Sequence, residues 1–179
     1  MPGDMTRRTG VGLLLFVLAA FASASRSDAA QQPIEAAVFD FELIDTSLQG
    51  AMEDVRPDEQ KRLALISEQL RRELAASGRY AVIDLAPARD RIQAAGYLHG
   101  CNGCAARIGR SLGAEVAITG TVQKVSNLIL NINLQLWDTA TGKPLRAMSA
   151  DLRGNTDESW SRGVSYLLRH RLLKPSEPE

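Results

Sequence analysis

The sequence predicts an α/β fold: a single mixed sheet of about five strands, parallel at its start and antiparallel in a C-terminal meander, with helices packed on it. Three patterns point there. A strand signal at residues 34–41, a helical stripe at 58–76 and a second strand signal at 79–85 give strand-helix-strand, which implies a parallel pair with a right-handed crossover. Three more strand signals crowd residues 115–153, with a tight turn between the last two, as antiparallel neighbours require. A closing apolar stripe, Val164, Leu167, Leu168 and Leu172, is a helix face that needs a sheet to cover it.

Each element has a local reason. IEAAVFDF at 34–41 is a short apolar run of the kind that forms a buried strand. Residues 42–57 hold Asp45-Thr46-Ser47, Gly50 and Pro57 and read as a long loop. Asp58 can cap the first helix, where Leu63, Ile66, Leu70 and Leu74 recur every three or four residues and Ser77-Gly78 stop it. Pro87 opens a second helix that runs to about Ala95, ended by Gly96. Residues 101–112 form a third, with Ile108 and Leu112 on one side. Residues 115–125 and 127–137 are strands. In the second, Leu128, Leu130, Ile132, Leu134 and Leu136 face one way, and Asn127, Asn131, Asn133 and Gln135 the other. Thr139-Ala140-Thr141-Gly142 is the turn, and residues 144–153 return. Asn155 or Thr156 caps the last helix, with Glu158 placed for a capping box after Asn155.

The N-terminus reads as an address. Arg7 and Arg8 precede an unbroken apolar run at 11–21 and then Ala22-Ser23-Ala24, the order of a secretory signal peptide. The run is shorter than the roughly 20 residues a membrane span needs. Cleavage is expected after Ala24, or failing that after Ala29, and no cysteine near either site offers a lipid anchor. The expected organisation is therefore a signal peptide at 1–24, a polar leader at 25–33, one α/β domain at 34–174 and a frayed tail at 175–179. No later stretch is long and apolar enough to span a membrane, so the mature chain is expected in the periplasm or outside the cell.

Composition excludes several classes. The 179 residues carry 21 Lys plus Arg against 21 Asp plus Glu, too balanced for a strongly basic nucleic-acid binder. Aromatic residues are 5%, which argues against a stacking platform for bases or sugars. His99 and His170 are the two histidines, and Ser47, Ser126 and Ser159 have neither close by in sequence, so a Ser-His-Asp triad is not expected.

The sharpest chemical feature is Cys101-Asn102-Gly103-Cys104. In an oxidising compartment the favoured reading is a disulfide that pins the loop before the third helix. A redox-active pair is an alternative, because a helix N-terminus stabilises a thiolate. A metal site would need distant ligands besides His99. Haem attachment fails because Ala105, not a histidine, follows the second cysteine. Asp40, Glu42, Asp45 and Asp84 are placed at the carboxyl ends of the first two strands, where open α/β sheets gather ligands. Capping and solvated loop charge are the plainer reading of these acids, and no glycine-rich phosphate loop follows either strand. The amide row Asn127, Asn131, Asn133 and Gln135, extended by Thr119, Thr121 and Gln123, is neutral where exposed strands usually carry charge. It is a candidate binding face, or else a plain polar face half-covered by the loop. Trp160 is expected as a core anchor. Arg162, Arg169, Arg171 and Lys174 form a basic edge that suits a helix C-terminus.

Five stretches carry a family resemblance: residues 38–47 (VFDFELIDTS), 77–84 (SGRYAVID), 101–104 (CNGC), 122–131 (VQKVSNLILN) and 153–160 (RGNTDESW). Over residues 36–168 the chain resembles an uncharacterised exported bacterial family, domain of unknown function 3280 or 2380. Its element order is also similar to the small α/β domain of the curli secretion pore, to the N-terminal domain of the Tol-system propeller protein, and to certain outer-membrane lipoprotein activators of cell-wall synthases. The resemblance implies an envelope protein that binds an unidentified protein partner, is not an enzyme and holds no cofactor. The alternative is a periplasmic redox or ligand-binding accessory of a quinoprotein dehydrogenase system, built on Cys101 and Cys104.

Overall fold

The computed structural model describes residues 32–52 and 55–174. The expected signal peptide, most of the polar leader and the tail at 175–179 lie outside the described residues. The elements run β1 (Ile34–Asp45), α1 (Pro57–Ala76), β2 (Tyr80–Val82), α2 (Arg89–Ala95), α3 (Cys104–Ser111), β3 (Val116–Lys124), β4 (Leu130–Asp138), β5 (Pro144–Leu152) and α4 (Asp157–Leu167). Short 3-10 turns at Ala86–Ala88 and Leu98–Gly100 flank α2, and α4 winds on through a π-helical turn at Leu168–Leu172. One five-stranded sheet has the order β2-β1-β3-β4-β5. β1 is parallel to both β2 and β3, and β3, β4 and β5 are antiparallel. The predicted mixed sheet is therefore present, parallel at its start and a meander at its end.

Two layers sit on the sheet. α1 and α4 cover one face, where Ile66, Leu70, Leu74, Trp160, Val164, Leu167, Leu168 and Leu172 meet the strand residues Val38, Phe41, Ile118, Ile132 and Leu134. The expected stripes of both helices are thus buried, apart from Leu63, which is half-buried against the same core, and Trp160 is fully buried as a core anchor. Gly163 lets α4 approach closely, since a Cβ there would lie 2.5 Å from Leu152 Cδ2. Gly120 does the same for the Phe41 ring, whose Cε1 would meet a Cβ at 2.3 Å. On the other face a second, smaller core joins Ala37, Phe39, Leu98, Ala105, Ile108 and Ala117 under α2 and α3.

Several boundaries differ from expectation, each for a physical reason. β1 continues through residues 42–45, which read as loop, because Phe39 and Asp40 together oppose Thr119 alone between the pairs Val38↔Ile118 and Phe41↔Gly120. This bulge flips the alternation, so Phe41 and Leu43 return to the main core and Glu42 faces the other way. α1 starts one residue earlier, with Pro57 in its first turn, so Asp58 lies inside the helix and binds Arg56 and Arg62 instead of capping. β2 is three residues rather than seven. α3 starts at Cys104, leaving Cys101 in the preceding turn. β4 starts at Leu130, because the Ser126 hydroxyl accepts the backbone N–H of both Leu128 and Ile129 and closes a turn there. Leu128, expected on the core side, is 79% exposed. Thr156 is the cap of α4, its Oγ1 accepting Ser159 N–H at 3.2 Å, while Glu158 pairs with Arg162 rather than forming a capping box.

Candidate interaction face

α2 and α3 are seven and eight residues long and cover the sheet as far as β3 and the Trp137 end of β4. Beyond them the face of β3, β4 and β5 is open. Its cross-strand pairs are Thr119↔Gln135, Thr121↔Asn133 and Gln123↔Asn131 on one side of β4, and Gln135↔Ala147, Asn133↔Ser149 and Asn131↔Asp151 on the other. Gln123 and Gln135 are exposed; Thr121, Asn131 and Asn133 are half-buried; Thr119 is buried. The amides are held in a lattice: Asn133 Nδ2 donates to Thr121 Oγ1 at 3.4 Å, Asn131 Nδ2 to Asp151 Oδ1 at 2.9 Å and Trp137 Nε1 to Thr119 Oγ1 at 3.3 Å. A groove of about 340 Å³ lies on this face, between Thr121, Asn133, Gln135 and Ser149, with His99 at its rim. Asn127 is not part of it. It sits in the turn before β4, where its Oδ1 accepts Asn155 Nδ2 at 3.1 Å.

The four acids do not come together. Asp40, the bulge residue, is exposed and pairs with Arg71. Glu42 accepts the backbone N–H of Leu98 at 2.6 Å and of His99 at 2.9 Å, and its Oε2 lies 2.7 Å from His99 Nδ1, so it fixes the 3-10 turn beside the groove. Asp84 accepts Ala86 N–H at 2.9 Å and starts the turn into α2. Asp45 turns to Lys124. Among the described residues no group of three or more His, Cys, Asp or Glu is arranged to hold a metal ion.

Asp45 leads to a polar node that sequence reasoning missed. Lys124 is 1% exposed, with Nζ 2.9 Å from Asp45 Oδ2 and 2.7 Å from Glu59 Oε1, itself 1% exposed. Asn155 Nδ2 donates to the same Glu59 oxygen at 2.6 Å, and Arg62 donates to Asn155 Oδ1 at 3.1 Å and pairs with Asp157 at 2.7 Å. Burial pulls the Lys124 ammonium down, but its bonds to Glu59 and Asp45 outweigh that and hold it above the ordinary lysine value. Burial pushes Asp45 up, but hydrogen bonds from Ser47 and Lys124 win, and it sits below the ordinary carboxylate value. The node joins three of the five stretches that carry the family resemblance, residues 38–47, 122–131 and 153–160. One signal in the sequence marks it: Lys124 shares its parity on β3 with Ile118 and Val122, so it is a lysine at a core position.

Cys101 and Cys104 are joined in a disulfide, with their Cα atoms 5.6 Å apart. Arg107, one turn into α3, donates to Asn102 O at 3.0 Å and places Nη2 3.2 Å from Cys104 Sγ. No helix among the described residues is long and apolar enough to cross a membrane.

The fold defines a class: a small α/β domain of the kind seen in the C-terminal domain of LpoB from Escherichia coli, to which the chain is 17% identical with a TM-score of 0.50 over 70% of this chain and 87% of that one. The LpoB C-terminal domain from Salmonella enterica is 16% identical with a TM-score of 0.48, covering 68% of this chain and 83% of that one. Lipoprotein GNA1162 from Neisseria meningitidis is 15% identical with a TM-score of 0.44, covering 82% and 99%. No curated protein matches the chain in sequence. Residues 34–172 match the DUF3280 model, described as a protein of unknown function (DUF2380), and the chain belongs to that family.

Proposed function

We propose that this protein is exported and serves in the cell envelope as a non-enzymatic protein-interaction or accessory module, meeting its partner on the open face of β3, β4 and β5. One observation carries the reading. The two faces of the sheet are covered unequally, and the uncovered part is a nearly uncharged surface of amides and hydroxyls with a groove in it. Held amides offer donors and acceptors at fixed positions, and they are removed from water at less cost than charges are. The signal-peptide pattern at 1–24 and the likeness to the LpoB domain favour the envelope as its place of work.

The test is a photo-crosslinking residue at Gln135 in the native host, with the same residue at Leu65 on the outer side of α1 as control. A discrete adduct from Gln135, absent from Leu65 and abolished by Asn131→Arg with Asn133→Arg in a folded protein, supports the reading. Equal adducts from both positions, or an adduct indifferent to the two arginines, overturn it.

A second reading, a redox or ligand-binding accessory, has Arg107 beside Cys104 in its favour, since a guanidinium stabilises a thiolate. The reduction potential separates the two. A value below about −300 mV marks a structural bond, and one near −200 mV or higher favours redox work.

A further inference from the structure

The sheet has two edges of unequal kind. β2 is a three-residue edge, too short to template another chain. β5 is nine residues long and has β4 alone as its neighbour. Its first half carries common protections, Pro144 at the start and Arg146 two residues on. Its second half is more thinly protected: residues 147–150 are Ala, Met, Ser and Ala, and its one charge is Asp151, which accepts Asn131 on the opposite face. Beside that half lies the groove between β5 and α4, about 550 Å³ in volume. Residues 149–153 form one wall and Arg162, Gly163 and Tyr166 of α4 part of the other, with Arg171 nearby. It exists because Gly163 seats α4 against Leu152, which leaves the strand edge uncovered beside the helix.

The groove's charge is one-sided. Arg153, Arg162 and Arg171 line it. Among the described residues Arg153 and Arg171 have no carboxylate partner, while Arg162 holds Glu158 at 2.6 Å in an exposed pair. The one acid in the lining, Asp151, belongs to the opposite face, where Asn131 donates to it. The basic edge that reads in sequence as a helix C-terminus thus stands partly over the second half of β5, whose only charge, Asp151, is turned to the other face.

We propose that this groove takes an acidic, extended segment of a partner protein, which adds to the sheet as a sixth strand beside β5. The free edge supplies the backbone ladder and the three guanidiniums select carboxylates. Residues 149–153 span about 13 Å at 3.3 Å per residue, room for four or five residues of the guest. The groove lies on the helix side of β5, so this proposal stands apart from the open-face reading.

The probe is a blocked hexapeptide alternating glutamate with valine, titrated into the 15N-labelled mature protein at low salt. Its controls are the lysine–valine counterpart and the acidic peptide N-methylated at alternate residues. The acidic peptide is expected to shift the amides of residues 149–153, with affinity falling at least tenfold on Arg153→Glu with Arg171→Glu and falling steadily with added salt. Both controls are expected to fail to bind. Equal binding of the lysine peptide overturns the charge assignment, and equal binding of the N-methylated peptide overturns strand addition. No shift up to millimolar peptide, shifts confined to the β3–β4 face, or concentration-dependent dimers through β5 without peptide each overturn the proposal, the last in favour of a second copy of this chain.

Discussion

The two faces of β4 use one strand in opposite ways. Leu130, Ile132, Leu134 and Leu136 are at most 5% exposed, locked against α1 and α4. Asn131, Asn133 and Gln135, interleaved with them, stand under nothing but each other and the groove. The strand has the same geometry on both sides, and the difference lies in what arrives to cover it. α1 and α4 have 20 and 11 residues, about 30 and 16 Å of helix. α2 and α3, at seven and eight residues, give about 10 to 12 Å each, and the core beneath them reaches β4 only at Trp137. The uncovered strip is mostly polar and carries little charge, Asp151 beside Asn131 being its one carboxylate among the paired residues of the face, which is what sets it apart from ordinary solvent-facing sheet.

The largest break in this comparison is expected at the node, where the covered side admits a charge. Lys124→Met leaves Asp45 and Glu59 unpaired at a buried site and is expected to cost about 3–5 kcal/mol in urea denaturation. Adding Asp45→Asn and Glu59→Gln is expected to recover part of it. The pH dependence has two limbs. The Asp45 contribution is full above its ordinary value of 3.8 and is lost as pH falls through the lower folded value. The Lys124 contribution is full below 10.5 and is lost as pH rises through the higher folded value. Acid titration of stability should therefore be flatter in Asp45→Asn than in the wild type.

A smaller break compares neighbours on β4. Leu134→Ala is expected to cost about 3 kcal/mol and Asn133→Ala less than about 0.5 kcal/mol, measured as shifts of the urea midpoint. Equal losses would mean that the amide lattice is itself a structural layer. The smallest effect is expected at Leu128. Leu128→Ser should leave the midpoint unchanged within about 0.5 kcal/mol, because the side chain is 79% exposed.

What the sequence revealed followed from regular period. The stripes of α1 and α4 and the alternation of β4 repeat often enough to be read, so the sheet class and most of the amide row were legible. Irregularity hid the rest. The bulge at Phe39 and Asp40 breaks the period of two in β1, so residues 42–45 resembled a loop. Asn127 follows the amide pattern by position, but the Ser126 hydroxyl captures two backbone N–H groups and ends the strand before it. The four acids looked like one cluster because they share strand ends in sequence. Their partners come from far along the chain, Lys124 for Asp45 and the turn at Leu98 for Glu42, and no local pattern encodes those meetings.

The node also bears on how the chain chooses its alignment. Its ammonium and two carboxylates come from β3, the end of β1 and the first turn of α1, with Asn155 added from just before α4. A slide of β3 by one position along β1 would send Lys124 to the opposite side and bring a neighbour of the wrong chemistry into its place. Such an offset sheet could keep many of its backbone bonds and still be rejected, because it would strand uncompensated charge in a dry interior. The lysine acts as a key cut for one seating of these strands, closing only when all the segments have arrived.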